Sequence, residues 1–208
     1  FNYIGIIFLS KYGKLLSSPV PIPNSAEEFI LGLIVLSITP GICEEIMFRG
    51  TMMRAYEGLG KRMAIICSAI LFGIFHLNLQ NLIGPIFLGL ILATIVYKTN
   101  SIYASILGHG LNNTIAMTLG YFATKLQSSA ENVQALDIPF KIQLLISLIW
   151  FGLIALISSF ILRKLLKNLP GDEAIIDELE DKIKLFDFIP VILFILLFII
   201  IHVKYLYL

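Results

Sequence analysis

Glu44, Glu45, Arg49, His76, His109 and Asn113 are the residues of this chain whose types and spacing could do chemistry. They lie within long apolar runs, where an ionisable or strongly polar group is costly unless it faces a cavity or a partner. Glu45 and Arg49 stand at i and i+4, so on a helix they share a face and can form an ion pair. Such a pair offsets much of the cost of burying both charges. Glu44 points about 100° away from Glu45 and has no cation of its own nearby in the sequence. A buried carboxylate of that kind takes up a proton or holds a water or a metal ion, and it is a candidate general base. Phe72 and His76 share a face by the same spacing, as do His109 and Asn113. A His and an Asn one turn apart can aim donors at one point, which is what an oxyanion requires.

Three apolar segments must position these groups. The first runs from about Glu28 to Tyr56, the second from Arg62 to about Leu79, and the fourth in chain order from Ser101 to about Thr124. Depth can be counted inward from the end of each segment richer in Lys and Arg, at a helical rise of about 1.5 Å per residue. Glu44 then lies roughly 20 Å deep, His76 roughly 21 Å, Asn113 roughly 18 Å and His109 roughly 12 Å. Groups from three helices reach similar levels, which points to one shared, water-bearing cavity.

The whole chain reads as an all-α, polytopic transmembrane helix bundle. Of its 208 residues 58% are hydrophobic and 14% are charged, too little polar surface for a domain facing water on all sides. About six complete spans are expected: the three above, Ile83–Tyr97, 141–162 and 188–207. Phe1–Ser10 is too short to span and reads as the tail of a truncated further span. One transmembrane domain covers 1–208, with a polar core at 28–124 and an acidic amphipathic segment at 171–187 that suits a membrane surface. Lys and Arg favour the side holding Arg54, Lys61, Arg62, Lys98 and Arg163 as cytoplasmic. A net charge of +1 offers no basic surface for nucleic acid. The two cysteines, Cys43 and Cys67, form no C-x-x-C pair and read as small apolar fillers. Cys43 abuts Glu44, but nothing near it in the sequence activates a thiol nucleophile.

Three motifs carry a resemblance. Glu44-Glu45-Ile-Met-Phe-Arg49 resembles the E-E-x-x-x-R motif of the CAAX protease and bacteriocin-processing family, also called Abi or CPBP. Phe72-Gly-Ile-Phe-His76 is similar to its F-x-x-x-H motif, and His109-Gly-Leu-Asn-Asn113 to its H-x-x-x-N/D motif. Each is weak alone; all three in order, each on its own span, are specific. The last two expected spans and the acidic segment carry no motif.

The resemblance implies intramembrane endopeptidase activity on a membrane-associated, prenylated or leader-peptide substrate. In it, Glu44 activates the attacking water with help from His76, His109 and Asn113 stabilise the oxyanion, and Glu45 and Arg49 support the site. The family has been described both as metalloproteases and as metal-free glutamate proteases. Zinc held by Glu44, His76 and His109 is therefore the alternative to a glutamate-activated water, although no H-E-x-x-H helix is present. Two other readings compete: a non-catalytic bacteriocin-immunity or scaffold protein of the same fold, and an ion-coupled transporter using the same charges. The expected surroundings are the lipid bilayer of a bacterial cell membrane. Neither the substrate nor an oligomeric state is legible.

Overall fold

The computed structural model describes residues 23–129, 140–167 and 188–207, which are helical apart from short connections. The expected N-terminal stub and the acidic segment at 171–187 lie outside the described residues. We number the helices α1 (Ala26–Ala55), α2 (Lys61–Phe75), α3 (Ile83–Thr99), α4 (Ile102–Ser129), α5 (Phe140–Lys167) and α6 (Ile189–Tyr207). These follow the expected apolar segments closely, with one correction at the end of α2. Helix α1 is long and apolar enough to cross a membrane, while Ile83–Thr99 and Ile189–Val203 are shorter apolar helices.

Helix α1 starts where the sequence offers a cap. The Ser25 hydroxyl accepts from the Glu28 N–H at 3.1 Å, and the Glu28 carboxylate reaches back to the Asn24 N–H at 2.8 Å. This is a reciprocal arrangement of the capping-box kind. Two stretches of α1, Leu33–Ile38 and Ile46–Met52, have the wider π-helical turn. Thr39 and Thr51 add hydroxyl bonds to the carbonyls five residues back, Ile34 and Ile46. Short π stretches in α-helices recur at functional sites, and these two flank Glu44 and Glu45.

The packing is inverted relative to a water-soluble bundle. Ile34, Ile38, Ile42 and Ile46 on α1, and Leu107, Leu111, Ile115 and Leu119 on α4, face outward. Glu45, Arg49, Ser37, Ser68, Ser105 and His109 are buried. Water would penalise both halves of that pattern. A hydrocarbon surround accepts the outer face and drives the polar groups inward, so the chain is a membrane protein.

Small residues let the helices approach. A Cβ on Gly41 of α1 would lie 3.1 Å from the Gly110 backbone of α4, and one on Gly89 of α3 would lie 2.9 Å from Ala69 Cα of α2. Close backbone approach at small residues is the usual way helices associate in lipid. The Gly41–Gly110 crossing sets His109 beside Glu44 and Glu45. At one end of the bundle Arg54 pairs with Glu57 at 2.6 Å, Glu57 accepts from Tyr97 Oη at 3.0 Å, and Lys61 lies over the Tyr97 ring. At the other end Lys125 Nζ donates to the Asn24 carbonyl at 3.0 Å. Arg54 and Lys61 therefore stand at the opposite end of the bundle from Lys125.

The correction concerns His76. It does not continue the second span: α2 ends at Phe75, His76 is the residue after the helix, and its side chain is exposed. At this end His76 Nδ1 donates to the Phe72 carbonyl at 2.8 Å, and Leu77 turns into the left-handed region at φ 46°. Asn78 then caps a short turn, accepting from the N–H groups of Gln80 and Asn81.

Candidate active site

Four of the six candidate residues form one connected group where α1 meets α4. Glu45 is fully buried and its Oε1 is shared by two cationic or donor partners. Arg49 Nη1 lies 2.9 Å from it, and His109 Nδ1 lies 3.0 Å from it. The sequence reading paired Glu45 with Arg49 alone. The bond to His109 was not legible, because it joins residues 64 apart and depends on the Gly41–Gly110 crossing.

Arg49 is held on further sides. Its Nη2 donates to the Gly89 carbonyl of α3 at 3.2 Å, and its guanidinium lies 4.6 Å from the centre of the Phe72 ring. A planar, weakly hydrated guanidinium suits that stacked, buried position better than an ammonium would. Phe72, also fully buried, packs edge-on to His109 at 5.4 Å and to His76 at 5.0 Å. The aromatic residue of the second motif thus forms a wall common to three of the candidate residues.

With Nδ1–H given to Glu45, His109 presents Nε2 to Glu44. The Nε2 to Glu44 Oε2 separation is 4.0 Å, and that carboxylate oxygen is buried without a hydrogen-bond partner among the described residues. A carboxylate that orients one imidazole nitrogen fixes what the other can do. Two polar atoms 4.0 Å apart are also close enough for one water to bond both.

Asn113 lies on the same face of α4 as His109, but its amide is already engaged. Nδ2 donates to the Leu36 carbonyl at 3.3 Å, and Oδ1 accepts from Asn112 at 3.2 Å. Leu36 precedes Pro40 by four residues, and proline has no N–H to return to that carbonyl. One N–H of Asn113 remains for other work. His76 makes no hydrogen bond or ion pair with either carboxylate among the described residues; it joins the group through the Phe72 ring.

The zinc alternative named Glu44, His76 and His109. Among the described residues no three His, Cys, Asp or Glu side chains are grouped so as to hold a metal ion. Nδ1 of His109 is bonded to Glu45 and Nδ1 of His76 to the Phe72 carbonyl, so Nε2 is the nitrogen that each would offer a metal ion. Cys43 is exposed and Cys67 is buried, and both are free thiols.

The fold and the site define a helical membrane protein with a carboxylate–imidazole centre between its helices. Residues 26–115, the stretch that carries all three motifs, match the family of Type II CAAX prenyl endopeptidases, Rce1-like, which upholds the resemblance drawn from the motifs. The protein named "Putative membrane peptidase YdiL" of Bacillus subtilis (strain 168) is 33% identical over 90 residues. That alignment covers 43% of this chain and 37% of the relative, so the chain spans little more than a third of the relative's length in the match. No solved structure matches the chain.

Proposed function

We propose that this protein is an intramembrane endopeptidase of CAAX type, hydrolysing a peptide bond in a prenylated or otherwise membrane-associated substrate with a water activated by Glu44. The supporting observation is the buried Glu44 Oε2, without a hydrogen-bond partner among the described residues and 4.0 Å from His109 Nε2, with His109 held by the Glu45–Arg49 pair. In this reading one water bridges Glu44 and His109. Glu44 takes a proton from it, and the water oxygen bonds to the scissile carbonyl carbon while the carbonyl electron pair moves onto its oxygen. His109, doubly protonated so that Nδ1 donates to Glu45 and Nε2 to the reacting oxygen, and the remaining N–H of Asn113 stabilise that oxyanion. As the carbonyl re-forms, the C–N bond breaks and the proton held by Glu44 passes to the leaving nitrogen. His76, on the exposed side of Phe72, assists in holding water or substrate. The family match and the name of the Bacillus relative favour peptide hydrolysis over ion transport. The chain sits in a bacterial cell membrane, crossing it about six times.

The test is cleavage by purified protein in liposomes of a farnesylated peptide with a CAAX tail, alongside an unprenylated leader peptide. Glu44→Gln keeps shape and removes the base, so cleavage should fall by about 10²–10⁴-fold with thermal unfolding unchanged. Glu44→Gln protein that cleaves as the parent does would overturn the role of Glu44. A parent that cleaves neither peptide and moves ions instead would return the protein to the transporter reading.

A further inference from the structure

The third histidine, His202, lies far from the motifs and outside the stretch that matches the family. It sits on α6 and is 7% exposed. Its Nδ1 is 2.8 Å from the Phe198 carbonyl one turn back, so that nitrogen carries the proton and donates. Its Nε2 lies 3.1 Å from the backbone nitrogen of Leu79 and accepts from that N–H. The ring stacks on Phe198 with centroids 4.0 Å apart. Both ring nitrogens are therefore assigned, and the orientation is fixed by packing.

What His202 holds is the segment that follows His76. Helix α2 stops at Phe75, Leu77 adopts φ 46°, and the chain re-forms a short turn at Leu79–Asn81 before α3. A left-handed conformation is unfavourable for a non-glycine residue, so it persists only where its surroundings fix it. The Leu79 N–H to His202 bond is a contact from another helix that holds this segment. Within the segment, Asn78 supplies the local bonds to Gln80 and Asn81.

We infer that His202 is a positioning residue for His76: through its Nε2 acceptor, α6 sets the path of the chain leaving α2 and so the place of the His76 imidazole. The inference rests on the endopeptidase reading for its catalytic consequence, and on the geometry alone for its structural one. It gives the C-terminal helix, which carries no motif, a defined part in the site.

His202→Phe keeps a ring against Phe198 and removes the acceptor, while His202→Gln offers an amide oxygen to Leu79. With the farnesylated peptide in liposomes, His202→Phe should lower kcat by about ten- to a hundredfold, as a misplacement of about 1 Å can, with KM within about twofold. His202→Gln should restore kcat to within about threefold of the parent. Full activity of His202→Phe, or equal losses in both variants, would overturn the inference. A second measurement does not depend on cleavage. Histidine-labelled protein in detergent micelles should show the His76 imidazole resonances shifted in His202→Phe, near parental in His202→Gln, and those of His109 unmoved in both. Amide exchange across residues 77–81 should rise in His202→Phe only. If the parent cuts no peptide, the endopeptidase reading fails, and these resonances and exchange rates alone decide the positioning role. Unshifted His76 resonances and unchanged exchange would sink it.

Discussion

The α1–α4 contact and the end of α2 both carry candidate catalytic side chains, but they are stabilised in opposite ways. At the α1–α4 contact the charges are buried, and each is held by others: Arg49 by Glu45, Gly89 and Phe72, and His109 by Glu45. At the end of α2, His76 is exposed and is held by backbone, its own through Phe72 and, one turn on, through Leu79 and His202. The first region is a closed network in which removal of one member strands another. The second is a chain path in which the side chain contributes little to folding. Structure and chemistry should therefore be coupled in the first region and separable in the second.

The largest effect should come from opening the closed network. Arg49→Met leaves Glu45 buried beside His109 without its cation. Breaking a buried pair from one side costs about 3–5 kcal/mol, so the thermal midpoint in mild detergent should fall sharply and cleavage with it. Glu45→Gln should fall in the same direction and also free the His109 ring. If Arg49→Met unfolds at the parental temperature, the network is not what holds α1 to α4, and the contrast between the two regions fails.

His76 is the complementary case. His76→Ala should lower cleavage by about a hundredfold, within the usual range for a positioned acid–base group, while thermal stability stays within about 0.5 kcal/mol, as for exposed sites generally. A stability loss as large as that of Arg49→Met would mean that His76, too, is a structural residue.

Much of this arrangement was legible before any coordinates, and the limits were physical. The i,i+4 spacing of Glu45 and Arg49 sufficed to predict their pair, because a helix face is a local property. The Glu45–His109 bond was not local: it follows from two glycines, Gly41 and Gly110, meeting across helices, and neither announces its partner. Placing His76 inside the second span assumed that an apolar run continues as helix. Leu77 and Leu79 are apolar, yet the first takes a left-handed conformation and the second gives its N–H to another helix. Depth counting found that the polar groups converge, but it could not tell a hydrogen-bonded contact from one made through the Phe72 ring. The π stretches left no apolar signature at all, since they change the ladder and not the pattern of residue types.

Between these extremes stands the glycine crossing that builds the closed network. A methyl on Gly41 would meet Gly110 backbone at 3.1 Å, which requires α1 and α4 to separate by a few tenths of an ångström. Gly41→Ala should cost about 1–3 kcal/mol, as overpacking does. The same substitution should lengthen the His109–Glu45 bond and lower cleavage, whereas Gly120→Ala, where a Cβ meets nothing within 4 Å, should do neither. Equal behaviour of the two variants would remove the crossing from the account of the site.

The smallest effect tests where Asn113 belongs. Its side chain bonds the Leu36 carbonyl, which Pro40 cannot satisfy, so it has a structural role beside the one proposed in catalysis. Asn113→Ala should cost about 1 kcal/mol of stability, the usual worth of one such hydrogen bond. Pro40→Ala restores a backbone N–H one turn after Leu36. In the Pro40→Ala background the carbonyl has an alternative donor, and Asn113→Ala should then cost measurably less. A double-mutant cycle on thermal stability reads that coupling directly. The cleavage assay on the same four proteins separates the roles: if Asn113 serves the oxyanion, its loss slows cleavage equally in both backgrounds. A loss of activity that disappears with Pro40→Ala would make Asn113 a helix-packing residue, and would place it with Arg49 in the structural network and not with Glu44 in the chemistry.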